Sequence, residues 1–597
     1  MHSIPFISTP ARFIATAQRL GDKPGYFVRG VSQWESTSWN DYAAEVNTLA
    51  RALVASGVQA GQVVCILGFN RPEWVMMDIA AMMVGAVPTG IYWTSATLEI
   101  EYILGHSQAP LLLVDTLERY QKVAAKVIDM PQLKQVVLMK GVAADDGQAS
   151  TWDAFLAKGN GAGSAALQTQ VDARMAAIRA EQTGTLIYTS GTTGPAKAVV
   201  LSHDNLSWTT DTLTREFAVT PDDRIISYLP LAHIAEQLGA VHNHANVGYP
   251  LYFARDMESL GEHLKEVHPT VFFGVPRVWE KMQSAIEIKL AGATGFKAKL
   301  AAWALRVGQA WHEVVIAGGT PDVWLNLQMK LANKLIHHKV KTALGFDQAR
   351  LLISGAAPIA PESLKFFTGL DIVVREVYGQ SEDCGPTSMA LGMNLRSGTV
   401  GKPFAGIDVR IADDGEIMVR GPNVFQGYAQ DLEATKNTLT SDGWLHSGDL
   451  GRFDNDGYLY VTGRKKDLLI TSGGKNISPS NIEADLMNIA LVEHAVVVGD
   501  GRHFLAALLT LKPDVLAQFA AAHGLGAANG QHALVQTSLQ SAIDTVNERH
   551  ARVANIRKFA VLNAPLAIDT GELTPTMKIK RQVVIARNQA AMDAIYG

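Results

Sequence analysis

Short, predominantly apolar runs recur through the first 360 residues, each followed by a longer stretch with helical spacing. Val63-Val64-Cys65-Ile66-Leu67, Leu111-Leu112-Leu113-Val114, Val136-Val137-Leu138, Val271-Phe272-Phe273-Gly274-Val275 and Leu351-Leu352-Ile353-Ser354 all fit this description. A strand with no polar face must be covered on both sides, and the intervening helices are the only material available to cover it. The pattern therefore dictates an α/β fold of parallel sheets flanked by helices. The helix expected after the first run spans Pro72 to Met83, and the Ala-, Lys- and Leu-rich segment 283–345, broken by glycines, predicts several more.

The chain is too long for one core: 597 residues, 47% of them apolar and 18% charged, are enough for several domain-sized units. Its net charge of −5 argues against a protein that coats nucleic acid, while leaving room for a local anion site. Two cysteines, Cys65 and Cys384, cannot supply a disulfide framework or a cysteine zinc site. No secretory signal is visible after Met1, and the simplest compartment is reducing cytoplasm. The uncharged stretch from Ile79 to Leu98 is broken by Gly85, Pro88 and Gly90, so it reads as a buried helix, a turn and a strand rather than a membrane span.

From about Asp408 the texture changes. Val409-Arg410-Ile411, Glu416-Ile417-Met418-Val419 and Tyr458-Leu459-Tyr460-Val461 alternate with Asp-Asp-Gly and Asn-Asp-Gly turns, which is the pattern of an antiparallel sheet or distorted barrel. A stretch rich in Lys, Gly and Ser follows, then a helix–strand pattern to the end. The expected division is a large unit over 1–465 and a small α+β unit over 466–597. Ala157–Ala165 reads as a disordered surface loop.

Four segments carry chemistry. Thr189-Ser190-Gly191-Thr192-Thr193-Gly194 follows an apolar strand start and leads through Pro195-Ala196 to Lys197. Glycines let backbone N–H groups converge on an anion, the hydroxyls add donors, and the lysine adds a point charge. It is not a Walker A loop, because Gly194 and Lys197 are not adjacent. Tyr378-Gly379-Gln380-Ser381-Glu382 sets a flat ring, a hydroxyl and a carboxylate within five residues, a set suited to base stacking and a magnesium–phosphate contact. Asp449 in Ser447-Gly448-Asp449 could accept from ribose hydroxyls. Lys578, in Thr574-Pro575-Thr576-Met577-Lys578, reads alone as a solvated lysine.

Taken in order, with Leu229-Pro230-Leu231-Ala232-His233 and with Gly463-Arg464 through Gly473-Gly474-Lys475-Asn476, these segments resemble the adenylate-forming superfamily of acyl-CoA synthetases, luciferases and peptide-synthetase adenylation domains. The resemblance runs from the Trp39–Pro72 region to Lys578. Ser227 to Gln237 and Phe273 to Lys281 look like the long-chain, bubblegum-type fatty acyl-CoA synthetases.

The resemblance implies that a fatty acid is activated with ATP to acyl-AMP and then transferred to CoA. By similarity, Thr189–Lys197 grips the β- and γ-phosphates and Glu382 holds Mg²⁺, with Ser381 in place of the usual threonine. Tyr378 stacks on adenine, with Gly379 and Gln380 beside it, and the turn Gly355-Ala356-Ala357-Pro358 lines the base pocket. Asp449 and Arg464 bind ribose, and His233 borders the acyl carboxylate, against the alternative of a satisfied core histidine. Lys578 contacts the carboxylate and α-phosphate. Lys466 is the hinge about which a small mobile domain rotates, replacing Lys578 with the Gly473-Gly474-Lys475 face for the CoA step. Three positions depart from the family's habit: Pro195-Ala196-Lys197-Ala198 spaces the lysine differently, Met577 stands where Gly is common, and Lys475 replaces a commonly acidic residue.

Two other readings stay open on the sequence. The acyl group could pass to a carrier protein instead of CoA, or the fold could serve only to bind an acyl-adenylate or nucleotide. A lipid substrate would bring the enzyme to the inner membrane surface as a peripheral protein, yet no basic amphipathic anchor stands out. Oligomeric state leaves no trace. Val241-His242-Asn243-His244 lacks zinc spacing; Trp279 and Trp311 read as core aromatics, His337-His338 as a helix surface, and Cys384 as packing.

Overall fold

The structure is a computed structural model and describes residues 6–126, 130–189, 195–292, 294–392, 395–472, 475–526, 528–574 and 577–597. The apolar runs become the centres of two sheets. One has eight strands in the order Gly427–Tyr428, Lys197–Ser202, Thr183–Thr189, Val87–Ile91, Val63–Leu67, Leu111–Val114, Gln135–Leu138 and Ala149–Thr151. Its strands from Thr183–Thr189 onward run parallel, and the first two are antiparallel additions. The other begins with three parallel strands, Val271–Gly274, Leu351–Ser354 and Val374–Gln380, and turns antiparallel at Gly385–Met389 and Lys402–Pro403.

The helix Pro72–Met83 opens with proline at its first turn, where the missing N–H costs nothing, and every one of its residues is buried. Asp78 within it is wholly buried, and burial pushes its carboxyl well above the ordinary range, toward the neutral form. Among the described residues no helix is long and apolar enough to cross a membrane, and Ile79–Leu98 divides as expected between this helix, a turn and the strand Val87–Ile91.

Beyond Asp408 lies the expected antiparallel sheet, with strands Asp408–Ile411, Glu416–Arg420, Leu445–Phe453 and Leu459–Arg464. From Leu469 the chain builds two further cores on the faces of a three-stranded sheet, Val492–Val498, Leu505–Leu511 and Ile556–Val561. This small lobe meets the rest through ion pairs: Arg277 to Glu493 at 2.9 Å and Arg549 to Glu362 at 2.8 Å.

One pairing lies beyond what the sequence predicts, and two features depart from expectation. A hairpin, Pro24–Arg29 with Trp34–Ser38, pairs with Leu251–Phe253 and so ties the N-terminal segment to the middle of the chain. The stretch Ala157–Ala165 is an ordered turn between helices Trp152–Ala157 and Ser164–Ala176, because Arg51 donates from Nε to the carbonyl of Gly159 at 2.8 Å and from Nη2 to Asn160. His337 is fully buried with Nε2 at 3.0 Å from the carbonyl of Ala304; only His338 lies on the surface.

Candidate active site

The strands deliver their C-terminal ends to one cleft of about 1540 Å³ whose walls come from both lobes. Such a position, outside the carboxyl ends of parallel strands, is where open α/β sheets bind ligands. Two close approaches shape it. At Gly90, on Val87–Ile91, a Cβ would meet the Cα of Ala232 at 2.6 Å, so the loop carrying His233 lies directly on the strand. At Gly379 a Cβ would meet the carbonyl of Gly385 at 1.7 Å, so only glycine lets the strand from Tyr378 fold back on itself there.

One wall is a hydrogen-bonded set. Tyr378 donates its hydroxyl to Asp449 Oδ2 at 3.0 Å, and Arg464 donates Nε to Asp449 Oδ1 at 2.7 Å. Both carboxylate oxygens of Asp449 are thereby fixed. Asp449 itself is delivered by a turn in which Gly448 adopts a positive φ of 71° and its N–H donates to Glu416 Oε1, while Ser447 donates to the carbonyl of Ile417. Burial would raise the Glu416 carboxyl, but His446, the Gly448 N–H and Lys465 outweigh it and hold it below the ordinary value.

Glu382 sits in a single 3-10 turn, Ser381–Asp383, at the end of Val374–Gln380. The turn is fastened from four sides: the Gln380 N–H donates to Asp383 Oδ1, Thr387 donates to Asp383 Oδ2, Asn423 donates to the Asp383 carbonyl, and the Phe425 N–H donates to the Glu382 carbonyl. Glu382 Oε1 accepts from the hydroxyl of Tyr428 at 2.8 Å, and the ring of that tyrosine lies under Lys197 Nζ at 4.9 Å. Thr189 and Lys197 face each other across an antiparallel pair, with Thr189 donating to the Lys197 carbonyl at 3.4 Å.

Opposite stands Lys578. Its turn closes through Thr574, whose N–H donates to the Lys578 carbonyl and whose hydroxyl accepts from the Lys578 N–H. The ammonium is held below the ordinary lysine value, first by the protein packed around it and next by the positive charge of Arg464, against the pull of Asp449 and Glu382. Water still reaches the side chain through the open cleft, so the group is surrounded without being sealed. Burial, and then Lys578, push the imidazole of His233 down to about 4, so it is neutral at pH 7. Its Nδ1 accepts the N–H of Ala235 at 3.2 Å, which leaves Nε2 to carry the proton.

With this geometry, the model of the AMP-binding enzyme family matches residues 13–429, and that of the AMP-binding enzyme C-terminal domain matches residues 466–597. The chain belongs to the AMP-binding enzyme family. It is 34% identical to long-chain-fatty-acid–CoA ligase ACSBG2 of Xenopus laevis, over 100% of this chain and 84% of that protein. To long-chain-fatty-acid–CoA ligase FadD15 of Mycobacterium tuberculosis it is 35% identical, over 94% of this chain and 92% of that one. Among solved structures it superposes on the A domain of carboxylic acid reductase from Segniliparus rugosus, in complex with AMP and a co-purified carboxylic acid, with a TM-score of 0.72 at 19% identity over 99% and 94% of the two chains. O-succinylbenzoate coenzyme A synthetase from Bacillus subtilis, in complex with AMP, gives 0.67 at 21% identity over 97% and 98%.

In this AMP-binding enzyme, Thr189, Lys197, His233, Ala356, Ala357, Tyr378, Gly379, Gln380, Ser381, Glu382, Asp449, Arg464, Lys466 and Lys578 all line the one cleft. Gly355 does not; it backs onto Val377 and Phe273 behind Ala356 and Ala357. Lys475 is exposed elsewhere, its N–H held by Thr471. Ser190, Gly191, Thr192, Thr193, Gly194, Gly473 and Gly474 lie outside the described residues. Tyr428 and Glu416 also belong to the site and were not anticipated. Tyr428 stands 46 residues from its partner Glu382, and no local pattern marks it. In sequence Glu416 reads only as the start of a strand.

Proposed function

We propose that this chain is an ATP-dependent long-chain fatty acid–CoA ligase. The observation that carries the reading is the composition of the cleft: a polar wall of Tyr378, Asp449, Arg464 and Glu382 continues into an apolar one that includes Leu213, Phe217, Val219, Ile225, Val271 and Phe273. His233 and Lys578 line the same cleft. A nucleotide suits the first wall and an alkyl chain the second, and their reacting ends meet at those two residues.

A carboxylate is a poor acyl donor because its leaving group would be oxide, so AMP must be installed first. A carboxylate oxygen attacks the α-phosphorus; the bond to the β-bridging oxygen breaks, and pyrophosphate departs. Two anions must come together, so the protein's share is positioning and charge neutralisation. Tyr378 and the base-pocket turn Ala356–Ala357 hold the adenine, Asp449 and Arg464 the ribose, and the segment Thr189–Lys197 the terminal phosphates. The neutral His233 offers an N–H to the acyl carboxylate without competing for its charge. Lys578 supplies a positive charge where negative charge builds. Glu382 presents a carboxylate to the cleft. That suits Mg²⁺, which rides on phosphates with one or two protein carboxylates and would neutralise charge there.

The lobes divide at 465/466. After pyrophosphate leaves, the small lobe turns about Lys466, withdraws Lys578, and admits CoA; attack of the CoA sulfur on the acyl carbonyl expels AMP. Incubation with ATP, Mg²⁺ and palmitate releases pyrophosphate, and addition of CoA then yields free palmitoyl-CoA and AMP. Absence of pyrophosphate would leave a binding protein only, and pyrophosphate without free acyl-CoA would point to a carrier-protein acceptor.

A further inference from the structure

The helix Val323–Ala332 leaves its most apolar face in solvent. Val323 is 87% exposed, Trp324 66%, Leu327 56% and Leu331 49%. At 100° per residue these four fall within one arc of about 100°. The opposite face is committed to the protein: Met329 and Ala332 are buried against Ala304 and Val307, and Asn326 accepts from the indole N–H of Trp311. The helix is also capped, Asp322 accepting from the Leu325 N–H at 2.7 Å. It is therefore a fixed structural element whose outer stripe has no partner within the described residues.

The charge around it is unlike that of the rest of the chain. Residues 288–341 carry eight Lys and Arg side chains against Glu313 and Asp322 alone, in a protein whose net charge is −5. Lys330, Lys334 and Lys339 are exposed on or just beyond the stripe. An apolar stripe containing Trp and Leu with flanking lysines is the arrangement of helices that lie in a bilayer interface. A second copy docked through the same face would bring both sets of lysines together, which disfavours self-association. In sequence Leu325, Met329 and Ala332 lie between the stripe residues, so the exposed face does not stand out.

We propose that this stripe and its lysines dock the enzyme on an anionic lipid bilayer. The purpose of such docking rests on the reading of the substrate as a fatty acid; the surface itself rests on exposure and charge. Once seated, the enzyme would take its acid from the membrane in which that acid partitions.

The full chain is sedimented with vesicles of phosphatidylcholine, and with the same vesicles containing phosphatidylglycerol. It pellets with the second kind, less at high salt. Trp324→Glu combined with Leu327→Glu lowers that partition by about tenfold or more, and Lys330→Glu with Lys334→Glu abolishes the preference for the anionic vesicles. All variants form AMP at the parental rate from palmitate presented on albumin, which shows that they fold. The proposal is overturned if the parent stays in the supernatant with both kinds of vesicle, or if the Trp324/Leu327 variant pellets as the parent does. It is equally overturned if the stripe mediates a dimer in sedimentation velocity and no vesicle binding. A parent that binds vesicles but makes no AMP from palmitate contradicts the ligase reading alone.

Discussion

The two sides of the cleft are built on opposite plans. On the large lobe, Asp449 has both oxygens occupied, the Glu382 turn is fastened by four hydrogen bonds, and all partners belong to the same lobe. On the small lobe a single lysine stands on a turn whose bonds, Thr574 with Met577 and Lys578 and Glu572 with Lys580, all lie within that lobe. Lobe-to-lobe ion pairs, Arg277–Glu493 and Arg549–Glu362, help hold that lobe in place. The first is preorganised and costs nothing to assemble at the moment of reaction. In the proposed mechanism the second leaves after the first half-reaction. A wall that binds a nucleotide through both half-reactions must persist, whereas a charge needed in only one of them is better carried by a removable part.

Predictions rank by how deeply they cut into this contrast. Lys578→Ala slows palmitate-dependent ATP–pyrophosphate exchange by about 10²–10³-fold, the usual cost of one preorganised charge at a transition state. A change of only a fewfold in that exchange would remove the lysine from the chemistry. Asp449→Ala orphans the Tyr378 hydroxyl and the Arg464 guanidinium together, and raises KM for ATP roughly 10- to 100-fold, as expected for lost charged hydrogen bonds. Glu382→Ala raises the Mg²⁺ concentration needed for half-maximal rate; an unaltered Mg²⁺ dependence removes Glu382 from the metal.

The pH profile separates the sides more gently. In the proposed reaction Lys578 works protonated, and its value is lowered, so adenylation is expected to decline on the alkaline side earlier than an ordinary lysine would allow. Lys578→Arg moves that limb upward. His233, held down at about 4, contributes no limb near the free value of 6.5; a His233→Asn enzyme with a displaced acid limb in that range would contradict the neutral assignment. The smallest effect belongs to the lobe contact. Arg277→Ala, which removes a half-exposed ion pair, slows adenylation by no more than about fivefold while leaving CoA transfer equal or faster. Equal slowing of both would mean that the pair stabilises the fold rather than one lobe position.

Much of this was legible before any coordinates, for reasons that differ by region. The helix Pro72–Met83 announces itself by its opening proline and an apolar content interrupted only by Glu73 and Asp78, and the parallel strands by runs that no half-exposed strand could carry. Turns of the Asp-Asp-Gly kind dictate the antiparallel sheet after Asp408. What the sequence hides depends on distant partners. Gly159 and its small neighbours look like a linker until Arg51, over a hundred residues away, takes hold of the carbonyl. His337 is polar in sequence and buried in fact because Ala304 offers a carbonyl. Tyr428, placed between Glu382 and Lys197, is invisible for the same reason. Met577 carries a positive φ of 63°, which explains why glycine is the easier residue there and why the departure concerns backbone strain rather than chemistry.

The central claim is that Lys578 serves one half-reaction and the large-lobe wall serves both. Palmitoyl-adenylate supplied ready-made to the Lys578→Ala enzyme, with CoA, tests it most directly. Palmitoyl-CoA should form at close to the parental rate although the variant makes almost no adenylate of its own. Loss of this transfer in proportion to the loss of adenylation would contradict the account.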